Sequence, residues 1–443
     1  MEFIQNFVHA NSILVSVAIL LLAYFFIATE KVPKVTIALA GATIAILLGP
    51  LSQEKGMQGE LNPAYFINYI DFNVIFLLVS MMLIVNIAAR SGMFNWFATE
   101  LLRLTKGHPK SVLFVLGVFT AIASAFLDNV TTVILVMPVT FVVARELDIT
   151  PVPFLITEIL TSNIGGTATL IGDPPNIIIG SAAGLSFLDF LLELTDIVLI
   201  ILLISLAILV FMFRKVLKSS PEKMEHIAKL DNSGTIKDYN LMIRSSIVLF
   251  LVVLGFVLHD VIHVQSCIVA MAGASFLLMF EKPHQILHDV EWNTIFFFIG
   301  LFIIIGGVEA SGGISLMAQW LLDITNGSQK VAAMVILWAS GILSGIIDNI
   351  PYTVTMAPML LEVQKAMGEA YIHPLWWCLS LGACLGGNMT IIGAAANVIV
   401  VETSAKAGHP ISFMEFFKYG ALITFVSLIL SSIYIYFRFL IHI

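Results

Sequence analysis

The sequence predicts an all-α polytopic membrane protein of two inverted repeats, with about ten transmembrane helices, two re-entrant helical hairpins and two broken helices. Three observations carry this expectation. Of 443 residues, 59% are hydrophobic and 11% charged, with a mean hydropathy of +1.00; a soluble domain carries roughly 25% charged residues. The apolar runs are about 20 residues long, the length of a bilayer-crossing helix, and lack the short alternating strands of an outer-membrane barrel. The polar positions of the first half also recur in the second at a nearly constant offset.

Taken in order, the first repeat is assigned to 1–213, a cytoplasmic linker to 214–241 and the second repeat to 242–443. Spans are expected at 12–29, 33–50 and 72–90. In 91–107, Phe94, Phe97, Leu101 and Leu104 recur at helical spacing, which suits a helix lying in the interface. The apolar stretch 111–145 is too long for one straight crossing. Its middle, LDNVTT from Leu127 to Thr132, reads as the tip of a re-entrant hairpin. A broken helix covers 152–181, where Gly165, Gly166 and Gly172 loosen the backbone and Pro174 and Pro175 remove amide donors. Irregular backbone at membrane depth is tolerated only where it is packed in protein or lines a wet cavity. A plain span follows at 188–213, then the polar stretch from Arg214 to Arg244.

The second half repeats this order, with spans at 243–259, 265–281 and 292–309 and an amphipathic piece at 311–327. A hairpin at 331–363, a broken helix at 374–402 and a last span at 416–440 complete it. At an offset of 220, Asp71-Phe-Asn meets Glu291-Trp-Asn, Ser91-Gly92 meets Ser311-Gly312, and Asp128-Asn129 meets Asp348-Asn349. At 221, Gly165-Gly166 meets Gly386-Gly387, Thr169 meets Thr390 and Asn176 meets Asn397. Chance similarity between apolar helices would not hold register through polar positions.

With both termini outside, 17 of the 21 Lys and Arg residues fall on cytoplasmic segments, including Lys31, Lys34, Arg90 and Arg214. The outside keeps Lys55, Lys330, Lys365 and Arg438, as the positive-inside rule expects for an inner (plasma) membrane protein. The first hairpin then enters from the cytoplasm and the second from outside. No basic residue precedes the first apolar run and no clear cleavage site follows it, so no signal peptide is expected. The net charge of −8 says little about partners, because charge in such proteins is sorted by side. Cys267, Cys378 and Cys384 all lie in apolar runs and read as small core residues.

An ionised carboxylate at mid-membrane costs about 3 kcal/mol or more unless something offsets it. Asp128, Asp173 and Asp348 each face that cost. Hairpin tips and helix breaks supply helix N-termini and free carbonyls side by side, which can hold an anion or a desolvated cation. Asn129, Thr131, Asn163, Thr167, Thr169, Asn176, Asn349, Asn388, Thr390 and Asn397 add neutral oxygens around them. Acidic tips tilt this site toward cations or protons, and sodium is expected at Asp128, Asn129, Asp173 and Asn176. An Asp at one tip could equally be a helix cap; two at matched positions make that reading weaker. The repeats differ where Asp173-Pro174-Pro175 faces Ala394-Ala395-Ala396, so the first half carries an extra carboxylate. Glu158 is a candidate proton relay or a pore-facing or lipid-edge side chain, Glu309 reads as facing the outer surface, and the ten histidines as interfacial or solvated.

The segments SAFLDNVTT, IGGTATLIGDPPN, GIIDNIP and LGGNMTIIGAAAN resemble the signatures of the ion transporter superfamily. The nearest branch holds the P-protein permeases, the arsenite-efflux permeases and the NhaD-type sodium–proton antiporters, with a citrate-transporter-like domain. The resemblance covers both repeats and implies a homodimer on scaffold helices, with a mobile transport domain of hairpins and broken helices. Dicarboxylate carriers of the superfamily show Ser-Asn-Thr at the tips, and Asp128-Asn129 and Asp348-Asn349 depart from that.

A secondary carrier working by alternating access is therefore expected, with cation–proton antiport first, arsenite or antimonite efflux second and ion-coupled uptake of a small organic anion third. A channel would need one continuous polar path, whereas the polar residues cluster at two tips. An intramembrane aspartyl protease needs a Gly where Leu170 stands and a Tyr where Leu127 stands, so an enzyme is not expected. No nucleotide-binding loop appears, so an ion gradient should drive the cycle unless a separate ATPase subunit assists.

Overall fold

A computed structural model describes residues 10–29, 31–48, 65–228, 232 and 234–441. Among these, nine helices are long and apolar enough to cross a membrane. The expected Lys55, the connection around it and the end of the 33–50 span lie outside the described residues.

The chain opens with α1 (Ser12–Thr29), α2 (Lys34–Leu48) and α3 (Phe72–Arg90). The amphipathic α4 (Met93–Leu104) leads into a hairpin of α5 (Pro109–Phe126) and α6 (Asn129–Leu147). A helix broken into α7 (Val152–Gly166) and α8 (Pro174–Ala183) follows, then the long α9 (Phe187–Phe213). The polar stretch holds a short helix the sequence did not announce, α10 (Pro221–Ala228). The second half runs α11 (Tyr239–Val257), α12 (His259–Ile262), α13 (Ser266–Leu278), α14 (Pro283–His288) and α15 (Trp292–Ala310). The amphipathic α16 (Gly313–Ile324) then leads to a hairpin of α17 (Gln329–Ile347) and α18 (Asn349–Met367). A broken helix, α19 (Glu369–Gly386) and α20 (Ala395–Lys406), and the final α21 (Phe413–Ile435) close the order. The α19 helix begins five residues before the expected 374 and runs through Pro374; the Ala370 carbonyl, deprived of its amide partner, accepts from the Gln329 side chain at 3.0 Å instead.

The repeat offset survives into backbone geometry. Gly92 and Gly312 start α4 and α16 with φ of 85° and 84°, left-handed turns that a side chain would strain. They turn the chain out of α3 and α15 so that each amphipathic helix lies against the second arm of its hairpin.

The core is made of helices that approach within van der Waals contact of backbone. A Cβ on Gly165 would lie 2.1 Å from the Ala121 carbonyl oxygen, and one on Gly386 2.5 Å from that of Gly341. Gly117 meets Thr157 and Thr161, and Gly165 meets Ala121, so α5 and α7 run parallel toward the hairpin tip. Small residues at such seams are what membrane helices need to pack without a hydrophobic driving force. The same arrangement joins α17 to α19. The halves then interlock: α8 packs on α18, and α20 on α6. Because α8 leaves the centre on the side away from the first hairpin's mouth, the second hairpin, lying along it, approaches from the opposite end. Three of the nine candidates, α5, α6 and α17, belong to the two helical hairpins.

A second group of helices packs around this core. Gly41 lies over Ile304 and Gly300 over Ala38, which sets α2 parallel to α15. Likewise Cys267 Sγ approaches Asn73 Oδ1 at 3.5 Å and Gly273 meets Ile84, which sets α13 parallel to α3. Arg90 at the end of α3 donates to Asp289 and to the Gln285 carbonyl, fastening α14 at one face.

Candidate functional site

The two hairpin tips and the two helix breaks meet at one place. Asp173 sits at the start of α8 but bonds none of that helix's amides. Pro174 and Pro175 follow it and carry no N–H, and the next amide, that of Asn176, donates to the Asp173 carbonyl oxygen at 2.9 Å, so the carboxylate makes no local cap. It turns to the centre, where Asn129 Nδ2 donates to it at 3.3 Å and Asn349 Nδ2 donates to its two oxygens at 3.2 and 3.3 Å. One amide from each tip therefore holds a single buried carboxylate. Asn129 Nδ2 also reaches Asn163 Oδ1 at 3.1 Å, and Asn163 Nδ2 reaches Asn388 Oδ1 at 2.9 Å and Asn397 Oδ1 at 3.0 Å.

Asn176 and Asn397 head the second halves of the breaks and hold them together. Asn176 Nδ2 donates to the carbonyls of Thr167 and Thr169, and Asn397 Nδ2 to those of Gly387 and Thr390. The Asn176 Oδ1 accepts from Ser380 Oγ at 2.6 Å and Cys384 Sγ at 3.4 Å, so its polar atoms are committed inside the protein. Thr169 and Thr390 hydroxyls bond the carbonyls of Ala125 and Gly345, tying each break to its own hairpin tip. The Thr167 hydroxyl returns to the Asn163 carbonyl. These side chains brace the site from behind.

The two tip aspartates, matched in sequence, differ in structure. Asp128 caps α6 fully: Thr131 N donates to it at 2.9 Å and Thr131 Oγ1 at 2.5 Å, with ordinary backbone angles. Asp348 receives only Ile350 N at 3.0 Å, since the position matching Thr131 is Pro351. Its backbone has φ 113° and ψ 138°, a region that L residues rarely enter. Its other partner is the Lys34 ammonium at 2.6 Å, reaching in from the start of α2.

A cavity of about 560 Å³ opens beside these groups. It brings together Asp128, Asn129, Asp173, Asp348 and Asn349 with Lys34, Glu291 and Glu402. The carboxylates grade from Glu402, exposed at the mouth, to Asp173, wholly buried at the floor. Thr131, Asn163, Thr167, Thr169, Asn176, Asn388, Thr390 and Asn397 do not line it. At the far end of the molecule, Ser181 Oγ donates to Asp71 Oδ2 at 2.5 Å beside a crevice of only about 190 Å³. Glu158 stands apart, buried between α7 and α6, with Thr140 donating to it.

Lys34, Glu291, Glu402, Ser380 and Cys384 escaped the sequence reading of the site. Glu291 carried a usable signal, its match to Asp71 at the repeat offset. Cys384 carried another, for it stands at the position matching Asn163, and the two bond Asn176 and Asn397 across the pseudo-symmetry axis. Lys34 carried none beyond its place at the start of a span.

Duplicated, interlocked helices around a polar centre, with a cavity open at one end, define a multi-pass membrane transporter. The family model described as citrate transporter, CitMHS, matches residues 24–382, and the chain belongs to that family. A 46 kDa membrane protein of Mycobacterium leprae is 39% identical over 430 residues, 96% of this chain and 99% of its own length. An uncharacterized transporter of Mycobacterium tuberculosis is 40% identical over 428 residues, 96% of this chain and 98% of its own. The P protein of Mus musculus is 30% identical over 501 residues, covering 95% of this chain and 59% of the longer mouse protein. Among solved structures, the YdaH transporter of Alcanivorax borkumensis aligns over 94% of this chain and 97% of its own with a TM-score of 0.55 at 13% identity, a likeness of fold.

Proposed function

We propose that the protein is a secondary active cation–proton antiporter, with sodium the first candidate cation, working by alternating access. The observation that carries this reading is the charge of the cavity. Five carboxylates, Asp128, Asp173, Glu291, Asp348 and Glu402, face it against one ammonium, Lys34. Like charges facing one partly dehydrated cavity repel one another more strongly than in water, so cations or protons are needed to offset them. A carboxylate substrate would meet the same field. The family's description favours a second reading, ion-coupled transport of a small carboxylate such as citrate; against it, the cavity's one ammonium already serves Asp348. Arsenite or antimonite efflux is the third reading.

On this proposal the interlocked core, with its two re-entrant hairpins, moves elevator-like against the scaffold of α1–α3, α11, α13 and α15. The inverted repeats are 1–213 and 242–443, joined by the cytoplasmic linker 214–241. The chain lies in the inner (plasma) membrane as a homodimer with both termini outside. The cavity mouth at Lys34 and Glu402 then faces the cytoplasm. The test uses purified protein in liposomes carrying an internal pH dye. Na⁺, Li⁺ or K⁺ gradients should move protons, and arsenite and citrate should not. Citrate-dependent flux without cation–proton exchange would replace this reading with the second.

A further inference from the structure

We infer that Lys34 is a tethered stand-in for the transported cation: its ammonium occupies Asp348 in the present state, and a cation arriving at Asp348 displaces it. This rests on the cation reading above and assigns the site within it.

Three independent features lead there. First, the tips divide their labour. Asp128 takes two donors from Thr131, while Pro351 at the matching position offers neither an amide nor a hydroxyl. A buried carboxylate short of local donors needs a proton or a cation, and here the ammonium of Lys34 supplies the charge. Second, the Asp348 side chain is 1% exposed and 2.6 Å from an ammonium that is itself 23% exposed, standing between the buried acid and the open cavity. Lys34 belongs to α2, which packs on α15 outside the hairpin, so this ion pair bridges two groups of helices and cannot travel with the hairpin. Third, Asp348 is held at φ 113°, whereas its partner Asp128 sits at φ −65°. Strain of this kind costs about 1–3 kcal/mol and persists only when surroundings impose it. Release of Lys34 frees the tip to relax toward the geometry of its partner. A lysine is suited to this role because its compact charge on a flexible stem withdraws without disturbing the fold.

A ligand that must displace an internal competitor binds more weakly by the competitor's own occupancy. Removing Lys34 should therefore tighten cation binding, and giving Asp348 the donors of the first hairpin should weaken it. Purified full-length protein in detergent is titrated with NaCl, LiCl or KCl at constant ionic strength held with choline chloride, following the unfolding midpoint, alongside flux in liposomes. Lys34→Gln should lower the half-saturating cation concentration about tenfold or more, with Lys34→Arg close to wild type. Pro351→Thr should raise it about tenfold with Lys34 still in place. A purely structural ion pair would lower the Lys34→Gln midpoint without moving the cation dependence, and that result overturns the inference. If Lys34→Gln does not fold, Pro351→Thr decides: an unchanged half-saturation sinks the idea. If wild type itself responds to none of the three cations, the cation function fails first and this inference with it.

Discussion

Asp173→Asn is the sharpest probe of the centre. In the native protein both Asp173 oxygens accept, from Asn129 at 3.3 Å and from Asn349 at 3.2 and 3.3 Å. An Asn there keeps one acceptor and presents an NH₂ to neighbours that are themselves NH₂ donors. At least one bond to a charged acceptor is lost, worth about 1.5–3 kcal/mol. That loss falls on the folded state and should appear in the unfolding midpoint; cation affinity falls separately, because one of the five cavity carboxylates is neutralised, by roughly tenfold if the charge is worth about 1.4 kcal/mol to the bound cation. Flipping Asn129 does not rescue it cheaply, because Asn129 Nδ2 also serves Asn163 Oδ1. The assay is the concentration dependence of cation-driven proton movement in liposomes, with the unfolding midpoint as a check on folding. Wild-type half-saturation in a folded Asp173→Asn protein would refute the reasoning.

Four further outcomes are expected. Asp128→Asn keeps an acceptor for the Thr131 amide but removes one of the five cavity carboxylates, so it should leave the thermal melt near wild type while raising cation half-saturation about tenfold, whereas Asp128→Ala should also lower stability by about 1 kcal/mol; wild-type half-saturation in Asp128→Asn would leave this residue a helix cap alone. Gly165→Ala places a methyl 2.1 Å from a carbonyl oxygen and must spread α5 from α7, so a loss of at least about 1–3 kcal/mol is expected in the same melt. A cross-link between cysteines at positions 24 and 355, where Tyr24 meets Thr355, should trap the protein and stop flux; complete cross-linking with full flux would argue against the motion. Ser220→Cys, exposed next to half-buried Ser219, should react with impermeant maleimide only from the cytoplasmic side, and labelling of intact cells would invert the topology.

The helices were legible because their signals are long or repeated. The span 72–90 was read to the residue, and both hairpin tips were found from one acidic dipeptide seen twice at a fixed spacing. What was not legible depends on sidedness and on what a neighbour withholds. Asp128 and Asp348 look alike in sequence, and only the three-dimensional count of donors separates a satisfied cap from a carboxylate that recruits Lys34. Pro351 was visible throughout, but its meaning is the absence of an amide at one place, which no periodicity reports. Asn176 and Asn397 read as candidate ligands because an amide is equally able to bind an ion or a loop. Their polar atoms go to backbone carbonyls and to each other's repeats.

The hydrogen bond between Ser181 and Asp71 has a counterpart position at the other end of the molecule. Repeat register carries Asp71 to Glu291 and Ser181 to Glu402, and there the two side chains stand at an open cavity. The protein thus displays one latch twice, fastened at one face and parted at the other. On the alternating-access reading, the fastened copy describes how the parted one must look half a cycle later. The substitution of glutamate for serine changes the rule of that second latch. A hydroxyl and a carboxylate close on each other unaided; two carboxylates need a shared proton or a bridging cation between them. On that reading, closing this second face would depend on pH where closing the first does not, a difference that arises where a glutamate stands for the serine of the other half.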